Sequence, residues 1–198
     1  MNNREKKAKL YLTFRPFLGL LFSSFYNPKI IGAEHIPAEG RMVIAGNHKH
    51  ALDPILVDVS TNRVVHTLAK KELHDGIFGW FFKAMGTIPV DLHADRNKEA
   101  LEAAIECLKD DCLVNLSPEA KRNYTDEVLL PFKKGAVVMA LRTGSKIVPY
   151  SITGDYKFRS KNLKIVYGKP VDVTGMEVPE ANEYLFNVIH DMIIENRD

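Results

Sequence analysis

One short segment of the chain carries two residue types that together can perform general base catalysis. Residues 46–54 read Gly-Asn-His-Lys-His-Ala-Leu-Asp-Pro and follow the apolar run 42–45. His48 and Asp53 can meet if His48 lies in a loop and Asp53 lies in the first turn of the next helix. Pro54 favours that helix start, because proline is common at the first helical position. A carboxylate bonded to one imidazole nitrogen would leave the other nitrogen free to remove a proton.

The chemistry of this segment has competing interpretations at the level of sequence. A histidine near a helix start tends to stay neutral, as a base must, because the positive end of the helix dipole disfavours imidazolium. Asp53 could instead be only a helix cap, and His50 competes with His48 for the role of base. No Gly-x-Ser-x-Gly elbow is present, so the nucleophile could be a substrate hydroxyl in place of a protein serine.

The elements around this segment alternate between short apolar runs and stretches with helical periodicity. Strands are predicted at 30–32, 42–45, 64–68, 87–90, 112–116, 147–152 and 163–167, and helices at 97–108, at 134–143 and near the C-terminus. This alternation predicts an α/β fold, with a single layered domain over 28–198 whose largely parallel sheet is flanked by helices. Ligands of such sheets lie beyond the carboxyl ends of the strands, where residues 46–54 fall.

Composition excludes several classes of protein. The chain has 198 residues, 45% of them hydrophobic, and a formal net charge of +2, so it is not a disordered chain. The balanced charge and the lack of a recognition motif argue against a nucleic-acid binder. Cys107 and Cys112 are too few for a disulfide framework and show no zinc-ligand spacing, which predicts reduced thiols and no metal site.

The N-terminal segment, residues 1–27, predicts a helix that lies in a membrane interface. Basic residues precede a segment rich in large apolar side chains, and its uninterrupted apolar run, 17–25, is too short to span a bilayer. The alternative is a first helix packed on the core. With the reduced cysteines, the interfacial interpretation predicts a peripheral or monotopic protein on the cytoplasmic face of an anionic membrane. The predicted lipid-contacting residues are Lys6, Lys7, Lys9, Phe14, Phe17, Leu18, Leu21 and Phe22.

Four segments in order resemble the motifs of the glycerolipid acyltransferase family. The resemblance spans roughly residues 32–154 and includes an Asn-His-x-x-x-x-Asp motif at 47–53. The further segments are Gly-Thr-Ile-Pro-Val-Asp at 86–91, Ser-Pro-Glu-Ala-Lys-Arg-Asn at 117–123 and Val-Pro-Tyr at 148–150. The third departs from the family pattern Phe-Pro-Glu-Gly-Thr-Arg-Ser. Ala120 replaces its glycine and would carry strain if the backbone there had a positive φ.

The resemblance implies transfer of a fatty acyl group from acyl-CoA or acyl carrier protein to the free sn-2 hydroxyl of 1-acyl-glycerol-3-phosphate, giving phosphatidate. No cofactor or metal would be needed, and acyl carrier protein would be a partner if it is the donor. His48 would be the base and Asp53 its partner. The implied acceptor-binding residues are Glu119, the phosphate-binding candidate Arg122, the weaker candidates Lys121 and Arg96, and the pocket-shaping Gly86, Ile88 and Pro89.

Three alternatives remain open at this point. The acceptor could be glycerol-3-phosphate or another lysophospholipid. The protein could be a lipid thioesterase that uses water in place of an acceptor. It could also be a non-catalytic lipid-binding protein, with the altered third motif as a sign of lost activity. The aromatic-rich segment 75–85 could wall an acyl tunnel or pack as ordinary core, which is the more frequent outcome.

Overall fold

A seven-stranded sheet lies at the centre of the fold. The structure is a computed structural model that describes residues 9–77, 79–91 and 97–197. Each of the seven predicted strands is confirmed, with ends that differ from the prediction by at most two residues. The strands are β1 (Lys29–Ile31), β2 (Met42–Gly46), β3 (Val65–Lys70), β4 (Ile88–Val90), β5 (Leu113–Leu116), β6 (Ile147–Thr153) and β7 (Lys164–Tyr167).

The sheet is largely parallel, as the alternation of strands and helices predicts. Its order is β1-β7-β6-β2-β5-β3-β4. The strands β2 to β6 all run in one direction, whereas β7 is antiparallel to β6 and β1 is parallel to β7. The carboxyl ends of β2 to β6 therefore share one side of the sheet, which we call the carboxyl edge. Loops that follow these five strands can bring their residues together there.

Helices cover both faces of the sheet and confirm the predicted layered α/β domain. They are α1 (Lys9–Tyr26), α2 (Asp53–Val59), α3 (Lys71–Asp75), α4 (Gly79–Ala84), α5 (Lys98–Lys109), α6 (Gly135–Thr143) and α7 (Val178–Asn196). A core cluster joins α5, α6 and α7 to one face of the sheet. A second cluster joins α1 and α2 to the other face. Buried β2 lies between the two clusters, which holds the start of the 47–53 loop rigidly.

The helix α1 packs on the core and also exposes several large apolar side chains. Tyr11 and Phe22 are buried, at 1% and 7% exposed, so one side of α1 packs on the core. Phe14, Phe17, Leu18 and Leu21 of the same helix are exposed. The prediction that Phe22 contacts lipid is therefore wrong, because its ring packs on Tyr26 and Tyr156.

The basic part of the N-terminal prediction is only partly covered by the structure. Lys6 and Lys7 lie outside the described residues, and Lys9 is the first residue of α1. Within the described part of the chain, no helix is both long and apolar enough to cross a membrane. Binding of α1 to a membrane stays a prediction.

Candidate active site

Backbone geometry at the end of β2 positions the loop that carries His48. A side chain at position 46 would collide with the ring of Tyr150 on the neighbouring strand, so only glycine fits there. Asn47 then joins the loop to β6 twice. Its amide nitrogen donates to the carbonyl of Ile152 at 2.9 Å, and the Ile152 N–H donates to its amide oxygen at 2.7 Å. The loop therefore leaves the sheet in one fixed direction.

His48 and Asp53 meet as their spacing predicts. Nδ1 of His48 lies 2.9 Å from Oδ2 of Asp53, which is the first residue of α2 and is 1% exposed. The same carboxylate oxygen accepts the backbone N–H groups of Lys49 and His50, both at 2.8 Å. Because an ionised carboxylate only accepts, Nδ1 carries the proton and Nε2 of His48 is left as an acceptor. The imidazole is thereby oriented as a general base.

The geometry favours His48 over its neighbour His50. Nδ1 of His50 accepts the backbone N–H of Leu52 at 3.2 Å, and the ring stacks on Tyr156 at 4.4 Å between centroids. Only the backbone of His50 contacts the Asp53 carboxylate. The side chain of His50 therefore contributes to the packing of the loop, whereas the imidazole of His48 is the one bound to the Asp53 carboxylate.

Tyr156 completes the environment of Asp53. Its hydroxyl donates to Oδ1 of Asp53 at 2.7 Å, and it lies just beyond the end of β6. Burial is the main cause that raises the pKa of Tyr156, with the Asp53 charge acting in the same direction, so the phenol keeps its proton and stays a donor. The ring also contacts Phe22 and Tyr26 of α1. Nothing in the sequence signals this role, since 103 residues separate the two partners.

Glu119 of the third motif holds two loops together. It follows β5 at the carboxyl edge and is 3% exposed. One carboxylate oxygen accepts the backbone N–H of His48 and the other accepts that of Leu130, each at 2.8 Å. Burial is the largest influence on the pKa of Glu119 and raises it, against the two hydrogen bonds that lower it. The side chain thus fixes the position of the His48 backbone, in addition to facing the cleft described below.

The remainder of the third motif forms an exposed rim beside His48. The backbone N–H of Asn123 donates to the carbonyl of His48 at 2.8 Å. Lys121 and Arg122 are exposed, and the Arg122 guanidinium lies 5.3 Å from the centre of the Tyr124 ring. Ala120 has φ of 57°, which confirms the positive φ considered for this position. Alanine in this conformation carries the strain that the family glycine avoids.

A cleft of about 200 Å³ opens in front of His48. Two cations that the sequence did not single out, Lys49 and Arg197, lie in its wall. Lys49 donates to the carbonyl of Gly154, and burial is the main cause that lowers the pKa of its ammonium group. The cleft is lined by Asn47, His48, Lys49, Glu119, Asn123, Thr125, Glu127, Val128, Ile152, Thr153, Gly154, Ile193 and Arg197.

The part of the chain that carries the His48 loop matches a known protein family. The family model described as Acyltransferase matches residues 27–153, which contain the His48 loop, Asp53 and Glu119. The chain belongs to the acyltransferase family. The matched region contains β2, β5 and β6 and most residues that line the cleft, whereas Gly154, Ile193 and Arg197 of the lining lie beyond it.

Relatives of this acyltransferase share most of its length. A 1-acyl-sn-glycerol-3-phosphate acyltransferase of Borreliella burgdorferi is 30% identical over 175 residues, covering 84% of this chain and 70% of the relative. The protein of that name from Bacillus subtilis is 29% identical over 149 residues, covering 72% of this chain and 73% of the relative. The crystal structure of the 1-acyl-sn-glycerophosphate acyltransferase PlsC from Thermotoga maritima has a TM-score of 0.76 at 26% identity, covering 98% and 83% of the two chains.

The second motif of this acyltransferase lies at some distance from the cleft. β4 is an edge strand three positions from β2, which is about 14 Å at ordinary strand spacing. Gly86 has φ of 75° and its carbonyl bonds Nδ1 of His66 at 2.8 Å, Ile88 is buried in the core, and Pro89 is exposed. None of the three lines the cleft, so the structure shows them as parts of the sheet edge. Arg96 lies outside the described residues.

The two cysteines are buried thiols, and they meet a histidine that the sequence spacing did not indicate. Ligand atoms of His66, Cys107 and Cys112 lie within 4.8 Å of one another, so these residues could hold a metal ion. Cys107 is in α5 and Cys112 is just before β5, both in the core on the α5 face of the sheet. This cluster does not line the cleft at His48.

Proposed function

We propose that this acyltransferase moves a fatty acyl group from acyl-CoA or acyl carrier protein to the sn-2 hydroxyl of 1-acyl-glycerol-3-phosphate, giving phosphatidate. The observation that carries the proposal is the carboxylate-bound imidazole of His48 in the wall of a cleft. The relatives and the structural neighbour, which are named for this reaction, support the choice of acceptor.

In the proposed reaction, Nε2 of His48 removes the proton of the acceptor hydroxyl. The oxygen then attacks the thioester carbonyl, and the tetrahedral intermediate collapses with cleavage of the carbon–sulfur bond. The imidazolium returns its proton to the thiolate that leaves. Asp53 keeps the imidazole in the required tautomer and stabilises its charged form. A base in this position contributes roughly two to four powers of ten in rate.

The acceptor phosphate needs cations near the cleft. We propose Arg122, whose guanidinium can bind two phosphate oxygens at once. It is exposed on the rim beside Asn123, which lines the cleft. Lys121 stays a weaker candidate, and Arg197 becomes a further one because it lies in the cleft wall. Glu119 supports this rim through its bonds to the backbone of His48 and Leu130.

We also propose that the exposed side of α1 binds anionic lipid at the cytoplasmic face of a membrane. Phe17 and Leu21 are 59% and 52% exposed on that side. Deletion of α1 would remove Tyr11 and Phe22 from the core, so Phe17→Ser is the cleaner test. Weaker sedimentation of this variant with anionic vesicles, at unchanged thermal stability, is expected. Sedimentation equal to the unaltered protein would refute the assignment.

The reaction itself is tested by thiol release in detergent micelles. Acyl-CoA and acyl carrier protein are each supplied with lysophosphatidate, with glycerol-3-phosphate and with no acceptor. Release that depends on lysophosphatidate and yields phosphatidate is expected, whereas release without acceptor would mean a thioesterase. His48→Ala should abolish transfer, and the matched variant His50→Ala should keep most of it. Full activity of His48→Ala would refute the mechanism.

A further inference from the structure

A second apolar surface lies at the carboxyl end of β3, on residues separate from α1. It is formed by Leu73, Ile77 and Trp80, whose side chains are 42%, 90% and 64% exposed. Leu73 is in α3, Trp80 is in α4, and Ile77 is in the turn that joins these helices. Three large apolar side chains this exposed within a few residues of each other are typical of an interaction site.

The inner side of the same segment is firmly attached to the domain. His74 is 6% exposed and its Nε2 lies 2.9 Å from the hydroxyl of Thr87, which precedes β4. The N–H of Gly79 donates to the carbonyl of Gly76 at 2.8 Å and fixes the turn. These contacts hold one side of the segment against the sheet edge. The outward direction of Leu73, Ile77 and Trp80 is therefore built into the fold.

The second apolar surface lies on the same side of the molecule as α1. Met85, directly after α4, packs against the small core cluster of Tyr11 and Val64, of which Tyr11 belongs to α1. The exposed Phe14 and Phe17 of α1 follow within the next two turns of that helix. The two exposed apolar regions therefore belong to neighbouring elements. The opposite layer differs, since the exposed surface between α5 and α6 carries ion pairs such as Arg142 with Glu102.

The chemistry of the surface fits lipid. Basic residues outnumber acidic ones around the apolar side chains. The exposed lysines are Lys70, Lys71 and Lys83, and the exposed carboxylates are Glu72 and Asp75. Tryptophan with flanking lysines is typical of protein segments at a membrane interface, where the ring enters the headgroup region and the ammonium groups meet anionic lipid.

We propose that Leu73, Ile77 and Trp80 form a second membrane contact that enters an anionic bilayer together with α1. This inference rests on the proposed membrane binding of α1. The contact has a consequence for the reaction, because α3 directly follows the carboxyl end of β3. Two contacts, one along α1 and one at this edge, fix the orientation of the domain and turn the carboxyl edge towards the lipid that holds the acceptor.

The test uses the fact that Trp80 is the single tryptophan of the chain. The full chain is mixed with vesicles of phosphatidylcholine alone or with phosphatidylglycerol, and tryptophan emission is recorded. A blue shift that requires phosphatidylglycerol is expected, with quenching by lipids brominated near the headgroup end of the acyl chain. Unchanged emission from protein that sediments with the vesicles would show that only α1 binds, and would overturn the proposal.

A pair of matched variants gives a second readout that keeps Trp80 in place. Ile77→Ser removes the most exposed side chain of the surface, and Ile194→Ser alters an isoleucine of α7 that is 49% exposed in the other layer. Ile77→Ser should weaken the affinity for vesicles by roughly five- to tenfold. This is less than the effect expected for a fully buried isoleucine side chain, because a side chain at a membrane interface is only partly removed from water. Equal affinities of the two variants would also overturn the proposal. Transfer in detergent micelles, measured in parallel, separates this outcome from failure of the proposed reaction.

Discussion

Removal of one hydroxyl group, by Tyr156→Phe, tests whether the proposed catalytic pair, His48 and Asp53, depends on a residue far away in sequence. The Tyr156 hydroxyl donates to Oδ1 of Asp53 at 2.7 Å, whereas His48, Lys49 and His50 all bond Oδ2. Asp53 is 1% exposed, so water cannot readily replace the lost donor. A hydrogen bond to a charged group contributes about 1.5–3 kcal/mol. The phenylalanine ring keeps the packing of Tyr156 on His50, which isolates the hydroxyl.

The loss is expected in both catalysis and stability. The midpoint temperature of thermal unfolding should fall by roughly 3–12 °C, since each kcal/mol of lost stability lowers the midpoint of a chain of this size by about 2–4 °C. The value of kcat for transfer to lysophosphatidate should fall about tenfold, as a share of that energy is lost from the orientation of His48. The KM for the acceptor should change little, because Tyr156 does not line the cleft.

A matched control separates a specific effect from a general one. Tyr167 is a buried tyrosine of the same core cluster as Tyr156, and it is not a donor to Asp53, so Tyr167→Phe should leave kcat nearly unchanged. Both variants are assayed by phosphatidate formation in detergent micelles and by thermal denaturation. If Tyr156→Phe keeps full kcat and an unchanged unfolding temperature, the hydroxyl has no part in orienting the pair and the reasoning fails.

Three further predictions follow from single side chains. Ala120→Gly should stabilise the protein by about 1 kcal/mol in urea unfolding, because it relieves a φ of 57° at some cost in chain entropy; a loss of stability would contradict this. Arg122→Ala should raise the KM for lysophosphatidate roughly tenfold, with only partial recovery in Arg122→Lys, whereas an unchanged KM would place the phosphate elsewhere. Burial raises the pKa of Asp58 to about 7, so the stability that protonated Asp58 contributes at low pH is lost as the pH rises from about 4 through 7. The free energy of unfolding in urea should therefore be lower at pH 8 than at pH 5, and Asp58→Asn should make this difference smaller.

The strands and the contact between His48 and Asp53 were predictable because their signals are local. The strand β2 is buried along its whole length and reads as a continuous apolar run, which is typical of the interior of a parallel sheet. His48 and Asp53 are five residues apart and separated by one turn, so their contact needs no knowledge of the remaining fold. Pro54 further restricts where the helix can begin.

Contacts between distant segments were not predictable from the sequence. Tyr156 and Glu119 reach the His48 loop across 103 and 71 residues, and no residue pattern marks either contact. The aromatic content of segment 75–85 predicts a tunnel wall or ordinary core, yet Trp80 is 64% exposed. The helices α3 and α4 have five and six residues, too few for periodicity to show which side faces solvent.

The substitution of alanine for glycine in the third motif adds backbone strain but leaves the hydrogen bonds around the His48 loop in place. Ala120 keeps the left-handed backbone of the turn, and its N–H donates to the carbonyl of Ser117 at 2.9 Å. The turn is held on both sides, since Glu119 bonds the backbone of His48 and the Asn123 N–H donates to the carbonyl of His48. A strain of about 1–2 kcal/mol does not exceed the roughly 1 kcal/mol or more that each of these hydrogen bonds contributes, taken together. The substitution therefore leaves the loop around His48 intact, which argues against the non-catalytic alternative and in favour of an active transferase.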